Sequence, residues 1–204
     1  MAIITANNQS MTAITSLPSG VSAKSMILLA TETASSSATL SFTSDIDDTY
    51  KEYIFKFYDV HPSAADSYSV TFNGSIDSGS NYNVTKTTTV FRAYHDEGDT
   101  ATAVDYRTGS DIAQGTGFQT LGADGYLDDD ADSCIAGTLH LYDPSNTTFV
   151  KHFIATTNMV VSGPQTSNNF VAGYFNTTSA IDAIQFKMSS GTIDAGVIKL
   201  YGIS

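Results

Sequence analysis

Along residues 67–76, Tyr68, Val70, Phe72 and Ile76 alternate with Ser69, Thr71, Asn73 and Ser75. A two-residue period gathers its apolar members on one side only if the backbone is extended, so the segment predicts a strand with one buried face. The period recurs. Tyr53, Phe55 and Phe57 share one face of residues 50–60, while Ile54 and Tyr58 mingle with Glu52 and Lys56 on the other, the pattern of a central strand half wet outside. Ile184, Phe186 and Met188 alternate with Gln185 and Lys187, and Leu139 and Leu141 flank His140.

About ten strands are expected: residues 26–31 and 38–42 as a first pair, 50–60 followed at hairpin distance by 67–76, then 82–94, 135–142, 149–161, 169–176, 180–188 and 192–203. Asp77-Ser78-Gly79-Ser80 is the turn after the fourth. Many short strands joined by polar turns predict an all-β fold, an antiparallel β-sandwich that is jelly-roll-like. Residues 1–25, rich in Ser, Thr, Asn and Ala and punctuated by Pro18 and Gly20, are expected to form an extended N-terminal arm. Residues 26–204 are expected to form a single domain, with a weakly patterned polar stretch, 96–132, as a long functional-loop candidate.

Eighteen Asp stand against three Glu, and Asp favours turns and caps where Glu tolerates helix interiors, so a helical protein is disfavoured. A formal net charge of −12, with only Arg92 and Arg107 as guanidinium forks, opposes a nucleic-acid partner. No run of eighteen apolar residues occurs, and residues 1–10 lack a basic region followed by an apolar one, so neither a membrane partner nor export is expected. The single Cys134 cannot close an internal disulfide, which fits a reducing site of synthesis.

Asp128, Asp130 and Asp132, preceded by Asp124-Gly125, supply alternating carboxylates of the kind a calcium loop needs. Counting from Asp128, however, the sixth position is Ser133 instead of Gly and the twelfth is Leu139 instead of Glu. These three are the calcium candidates; the expected reading is an exposed acidic loop, and no metal or cofactor is assigned. His61, His95, His140 and His152 show no ligand spacing and are expected on strand edges or outer faces. His95, Asp96, Glu97 and Asp99 carry acid–base groups but lie adjacent on a loop, where two carboxylates rarely converge on one bond. No Gly-x-Ser-x-Gly elbow occurs and Cys134 has no basic neighbour, so an enzyme is not expected. Sugar binding lacks a Trp platform, although Tyr82, Tyr94, Tyr106 and Tyr126 near the loops offer rings.

Residues 49–55 (TYKEYIF) running to 59–62 (DVHP), 91–95 (FRAYH), 137–141 (GTLHL), and 191–193 (GTI) running to 199–202 (KLYG) resemble virion structural proteins of tailed bacteriophages, particularly marine cyanophages. The similarity spans most of residues 40–204. It implies a non-catalytic particle protein of capsid-decoration, tail or fibre type. Strong negative charge opposes a place against packaged DNA, so the expectation is a head decoration or cement protein. It would be made in the host cytoplasm, sit on the outer surface of the capsid and bind the major capsid protein or other virion subunits, as a homo-oligomer. Many weak contacts on a symmetric lattice would add to firm attachment. The alternative is a tail or tail-fibre component that recognises host glycans through the 96–132 region.

Overall fold

The computed structural model describes residues 26–64, 69–123, 127–163 and 165–204, so the expected arm at 1–25 lies outside the described residues. Within them the chain forms strands and no helix: β1 (Met26–Thr33), β2 (Leu40–Phe42), β3 (Glu52–Pro62), β4 (Val70–Ser75), β5 (Lys86–Asp96), β6 (Thr102–Tyr106), β7 (Gln119–Thr120), β8 (Ile135–Tyr142), β9 (Lys151–Val161), β10 (Gln165–Phe175), β11 (Ala183–Met188) and β12 (Ile193–Ile203).

They build two antiparallel sheets packed as a sandwich. The larger runs β1-β12-β3-β8-β9-β10-β5-β6 and the smaller β2-β11-β4-β7. The pairing is nested: β1 with β12, β2 with β11, β3 with β8 and β4 with β7. Odd members of the first four strands enter the large sheet and even members the small one. The expectation that 26–31 pairs with 38–42, and that 67–76 follows 50–60 as a hairpin neighbour, is therefore corrected. Each apolar face needs a covering layer, and here the chain meets that need by crossing between layers after each of these strands. Two hairpins, β5–β6 and β9–β10, widen the large sheet at one side.

Phe42, Phe72 and Phe186 of the small sheet meet Phe55, Phe57, Phe153 and Phe175 of the large one, with ring centroids 5.1–6.3 Å apart, mostly edge to face. This is the core that the alternation at Tyr53-Phe55-Phe57 and Ile184-Phe186-Met188 predicts. β3 is central, between β12 and β8, and has a bulge at its end where Asp59 takes φ +48° and the facing Gly196 φ +112°. A Cβ on Gly196 would lie 2.6 Å from the Asp59 carbonyl oxygen, so this close approach requires glycine.

The opening alternation needs two corrections. All six residues of β4 are buried, and Ile76, just past the strand, is 46% exposed. The polar members go inside because each finds a partner: Thr71 Oγ1 donates to the Lys187 carbonyl (3.0 Å) and Asn73 Nδ2 to the carbonyls of Tyr82 (2.8 Å) and Thr116 (2.9 Å). The 96–132 stretch is also not a plain loop. It contains β6 and β7, and residues 107–123 cross the inner face of the widened sheet as a strap.

That strap has little ladder of its own, so side chains rising from the sheet satisfy its backbone. Lys86 Nζ donates to the Gly117 carbonyl (2.6 Å), Thr157 Oγ1 to that of Leu121 (2.6 Å) and an Arg92 amine to that of Ala123 (3.3 Å). Ala123 N donates to Asn169 Oδ1 (3.0 Å), and Ile112 N to Thr88 Oγ1 (2.8 Å), which itself donates to Gln119 Oε1 (2.6 Å). Burial pushes the Lys86 amine down to about 8, since no carboxylate offsets its loss of water.

Candidate functional site

Three neighbouring strands each carry an adjacent apolar pair: Val90-Phe91 on β5, Phe153-Ile154 on β9 and Phe170-Val171 on β10. Strand geometry sends one member of each pair inward and the other out. Val90, Phe153 and Val171 are buried, leaving Phe91, Ile154 and Phe170 on the outer face of the widened sheet. Register aligns them. Tyr106 opposes Phe91, Phe91 opposes Phe170, and the Phe91 and Phe170 rings stack at 4.7 Å with planes 8° apart. Val104, at 75%, and Tyr106, at 51%, are the most exposed apolar side chains of the edge strand β6. β6 is held by Asp105, which accepts from Arg92 Nε (3.2 Å) and an Arg107 amine (2.9 Å).

A depression opens on either side of this ridge. One, of about 420 Å³, has Ala172 as its low point between Thr89 and Ile154, with His152 and Tyr174 beyond. The other, of about 360 Å³, mixes polar and apolar surface and is lined by Ala93, His95, Thr102, Asn158, Thr166 and Asn168. Both arise where small side chains sit beside large ones in register. The whole presents an apolar strip with hydrogen-bonding groups along one flank, an arrangement suited to docking.

The residues singled out from sequence scatter around the molecule. His61 Nε2 lies 3.1 Å from the Asp130 carbonyl oxygen, His95 Nε2 3.1 Å from Asp99 Oδ1, and His140 Nδ1 2.6 Å from Glu52 Oε1, while the His152 ring tilts against Tyr174. Asp96 does not join His95 in a proton-transfer pair. It closes the β5–β6 turn by accepting from the Thr100 hydroxyl and from the amides of Thr100 and Ala101 (2.8 Å each), and these bonds, the Thr100 hydroxyl foremost, hold its carboxyl below the usual range. Burial first, then Asp59 and Asp132, push the half-buried Cys134 thiol up, away from a reactive thiolate.

Asp128, Asp130 and Asp132 line one small depression of about 110 Å³ with Ser133 and Gly163. Ser133 Oγ accepts from Asp128 N (2.8 Å) and Asp129 N donates to Asp128 Oδ1 (2.9 Å). Among the described residues no three acidic, His or Cys side chains converge as a metal-holding group. Asp124, Gly125 and Tyr126 lie outside the described residues. Tyr94 packs its ring 4.5 Å from the inward-facing Arg92 guanidinium, while Tyr106 donates to Asp111 Oδ2 (2.6 Å) on the outer face, so Tyr94 and Tyr106 form no common platform. Sequence reading did not single out the Phe91–Phe170 ridge. The signal that finds it is the adjacent apolar pair on each of β5, β9 and β10, which are neighbours in the sheet. No family model, curated protein or solved structure matches this chain.

Proposed function

We propose that the chain is a bacteriophage virion structural protein, a head decoration protein that docks on the outer surface of the capsid and bridges shell subunits. The nested strand pairing supports a jelly-roll reading, an architecture of two Greek keys used by viral capsid and lectin domains. The observation that carries the proposal is the apolar ridge of Phe91, Phe170, Val104 and Tyr106 on the widened sheet, beside the exposed edge of β6. Its partners are the major capsid protein or other virion subunits. The net charge of −12 supports a position away from packaged DNA. Co-sedimentation of purified protein with emptied capsids tests this: the wild type pellets with shells and Val104→Asp does not, while cryo-electron microscopy of the virion shows density on the head. Density at the tail alone overturns it.

One observation favours a second reading, a tail or fibre component that binds host glycans. The second depression sets Asn158, Asn168, Thr166 and Thr102 beside the aromatic ridge, and Thr102 belongs to the 96–132 region. Neutral sugars offer matching hydroxyl edges and an apolar face. A glycan array read with wild type and Asn168→Ala separates the two, because a shell-bound protein gives no specific signal.

A further inference from the structure

Lysine and arginine total nine against twenty-one acids, so the position of each cation carries information. Lys86 and Lys151 are buried against backbone carbonyls, Arg92 and Arg107 share Asp105, Lys51 bonds Asp143 at 2.8 Å, and Lys187 lies over the Phe118 ring at 4.1 Å. Lys24 lies outside the described residues; among those described, Lys56 on β3 and Lys199 on β12 remain. They are direct register partners on the outer face of the large sheet, at the side away from the Phe91–Phe170 ridge. Like charges placed opposite each other on antiparallel strands repel. The chain spends two of its few cations there, and among the described residues neither forms an ion pair with a carboxylate.

What stands near them is aromatic. Lys56 Nζ is 5.5 Å from the centre of the Tyr201 ring and Lys199 Nζ 5.4 Å from that of Tyr58, a crossed pair of cation–π contacts. Burial and a hydrogen bond joining the two tyrosine side chains hold the Tyr201 phenol protonated, so it stays neutral beside the ammonium groups. Exposed apolar side chains border the group: Tyr58 at 42% and, on the edge strand β1, Leu28 at 51% and Met26 at 42%.

We propose that Lys56, Lys199, Tyr58 and Tyr201 form the contact site for a protein partner that presents a carboxylate side chain among apolar ones. Two ammonium groups with an apolar border complement such a surface, and a charge-assisted bond there relieves the repulsion within the lysine pair. The chain's own first 25 residues cannot supply the anion, for they contain no Asp or Glu. A polyanion is disfavoured because the whole molecule repels it at long range. This site stands apart from the ridge of the preceding section, so either can fail alone.

The test uses the full-length protein with lysines reductively ¹³C-methylated, which keeps their charge, and follows each methyl resonance by NMR. The probe is the peptide acetyl-Leu-Asp-Leu-Phe-amide. The expected result is saturable shifts at Lys56 and Lys199 with none at Lys51 or Lys187, while the Asn counterpart binds about tenfold more weakly or not at all. Lys56→Gln abolishes the response with an unchanged fold and an equal or higher melting temperature, as one of two opposed like charges is gone. Three results overturn the proposal: equal shifts at all surface lysines, saturation by galactose 6-sulfate instead of the peptide, or a dimer in sedimentation that Lys56→Gln disperses, which would make the occupant a second copy.

Discussion

Under the four-stranded sheet the large sheet offers rings, Phe55, Phe57, Phe153 and Phe175, to rings on the other side; under the strap of residues 107–123 it offers Lys86, Thr88, Arg92, Thr157 and Asn169 to backbone. The reason lies in the covering layer. A strand brings a backbone already paired within its own ladder and asks its neighbour only for apolar contact. An irregular segment arrives with bare amides and carbonyls, and burying those requires a donor or acceptor for each. One face of one sheet is therefore apolar or polar according to what lies over it.

The largest test of this contrast is Phe186→Ala. Phe186 touches Phe42, Phe55, Phe57 and Phe72, and its removal leaves a cavity among rigid rings. Chemical denaturation should show a loss of about 3–5 kcal/mol. A loss below about 1 kcal/mol would mean that the two sheets are not held by this cluster.

Asn169→Leu tests the strap side. Leucine matches the volume and adds apolar surface, so an ordinary core would tolerate it. Here it orphans the Ala123 amide, bonded to Asn169 Oδ1 at 3.0 Å, and should cost about 1–3 kcal/mol in the same assay. A neutral or stabilised variant would show that apolar contact, not backbone pairing, holds the strap.

This distinction also marks how far the sequence could be read. Where sheet covers sheet, polarity predicts orientation, and Tyr53-Phe55-Phe57, Leu139-Leu141 and Ile184-Phe186-Met188 point inward as the alternation requires. Where the strap covers sheet, it does not. Ser167 and Asn169 look like solvent-facing positions yet are fully buried, so β10 begins at Gln165, before the expected 169. Lys151 is likewise buried, while Phe149, the first residue of the expected strand 149–161, is 68% exposed. Residues 96–132 read as loop because a strap's sequence follows the groups it must pair with, which come from strands far along the chain. The ridge escaped notice for a related reason: alternation identifies one apolar face, and β5, β9 and β10 have two.

A pH titration sharpens the contrast further. Below pH 8 Lys86 is charged in both the folded and unfolded chain, and the folded state bears the burial cost. Between about 8 and the free lysine value of 10.5 only the unfolded chain holds the proton, so stability rises with pH. The expected gain from pH 8 to 9.5 is about 1–2 kcal/mol, and Lys86→Met should remove most of it. Above pH 10 the sign reverses: burial holds the Tyr53 phenol up at about 12, so the unfolded chain loses that proton first. A flat profile between pH 8 and 9.5 would show that water reaches Lys86 and that the strap is not sealed.

The smallest effect belongs to the outer face, where no layer of described residues lies over the sheet. His140 Nδ1 and Glu52 Oε1 approach to 2.6 Å across β8 and β3, but both side chains are 30% exposed and water competes for each. A double-mutant cycle with His140→Ala and Glu52→Ala at pH 5.5 should return a coupling of about 0–1 kcal/mol, weakened further by added salt. A coupling as large as the Asn169→Leu loss would mean that desolvation governs the outer face as it governs the strap. The difference between the two regions would then come from local charge and not from what covers them.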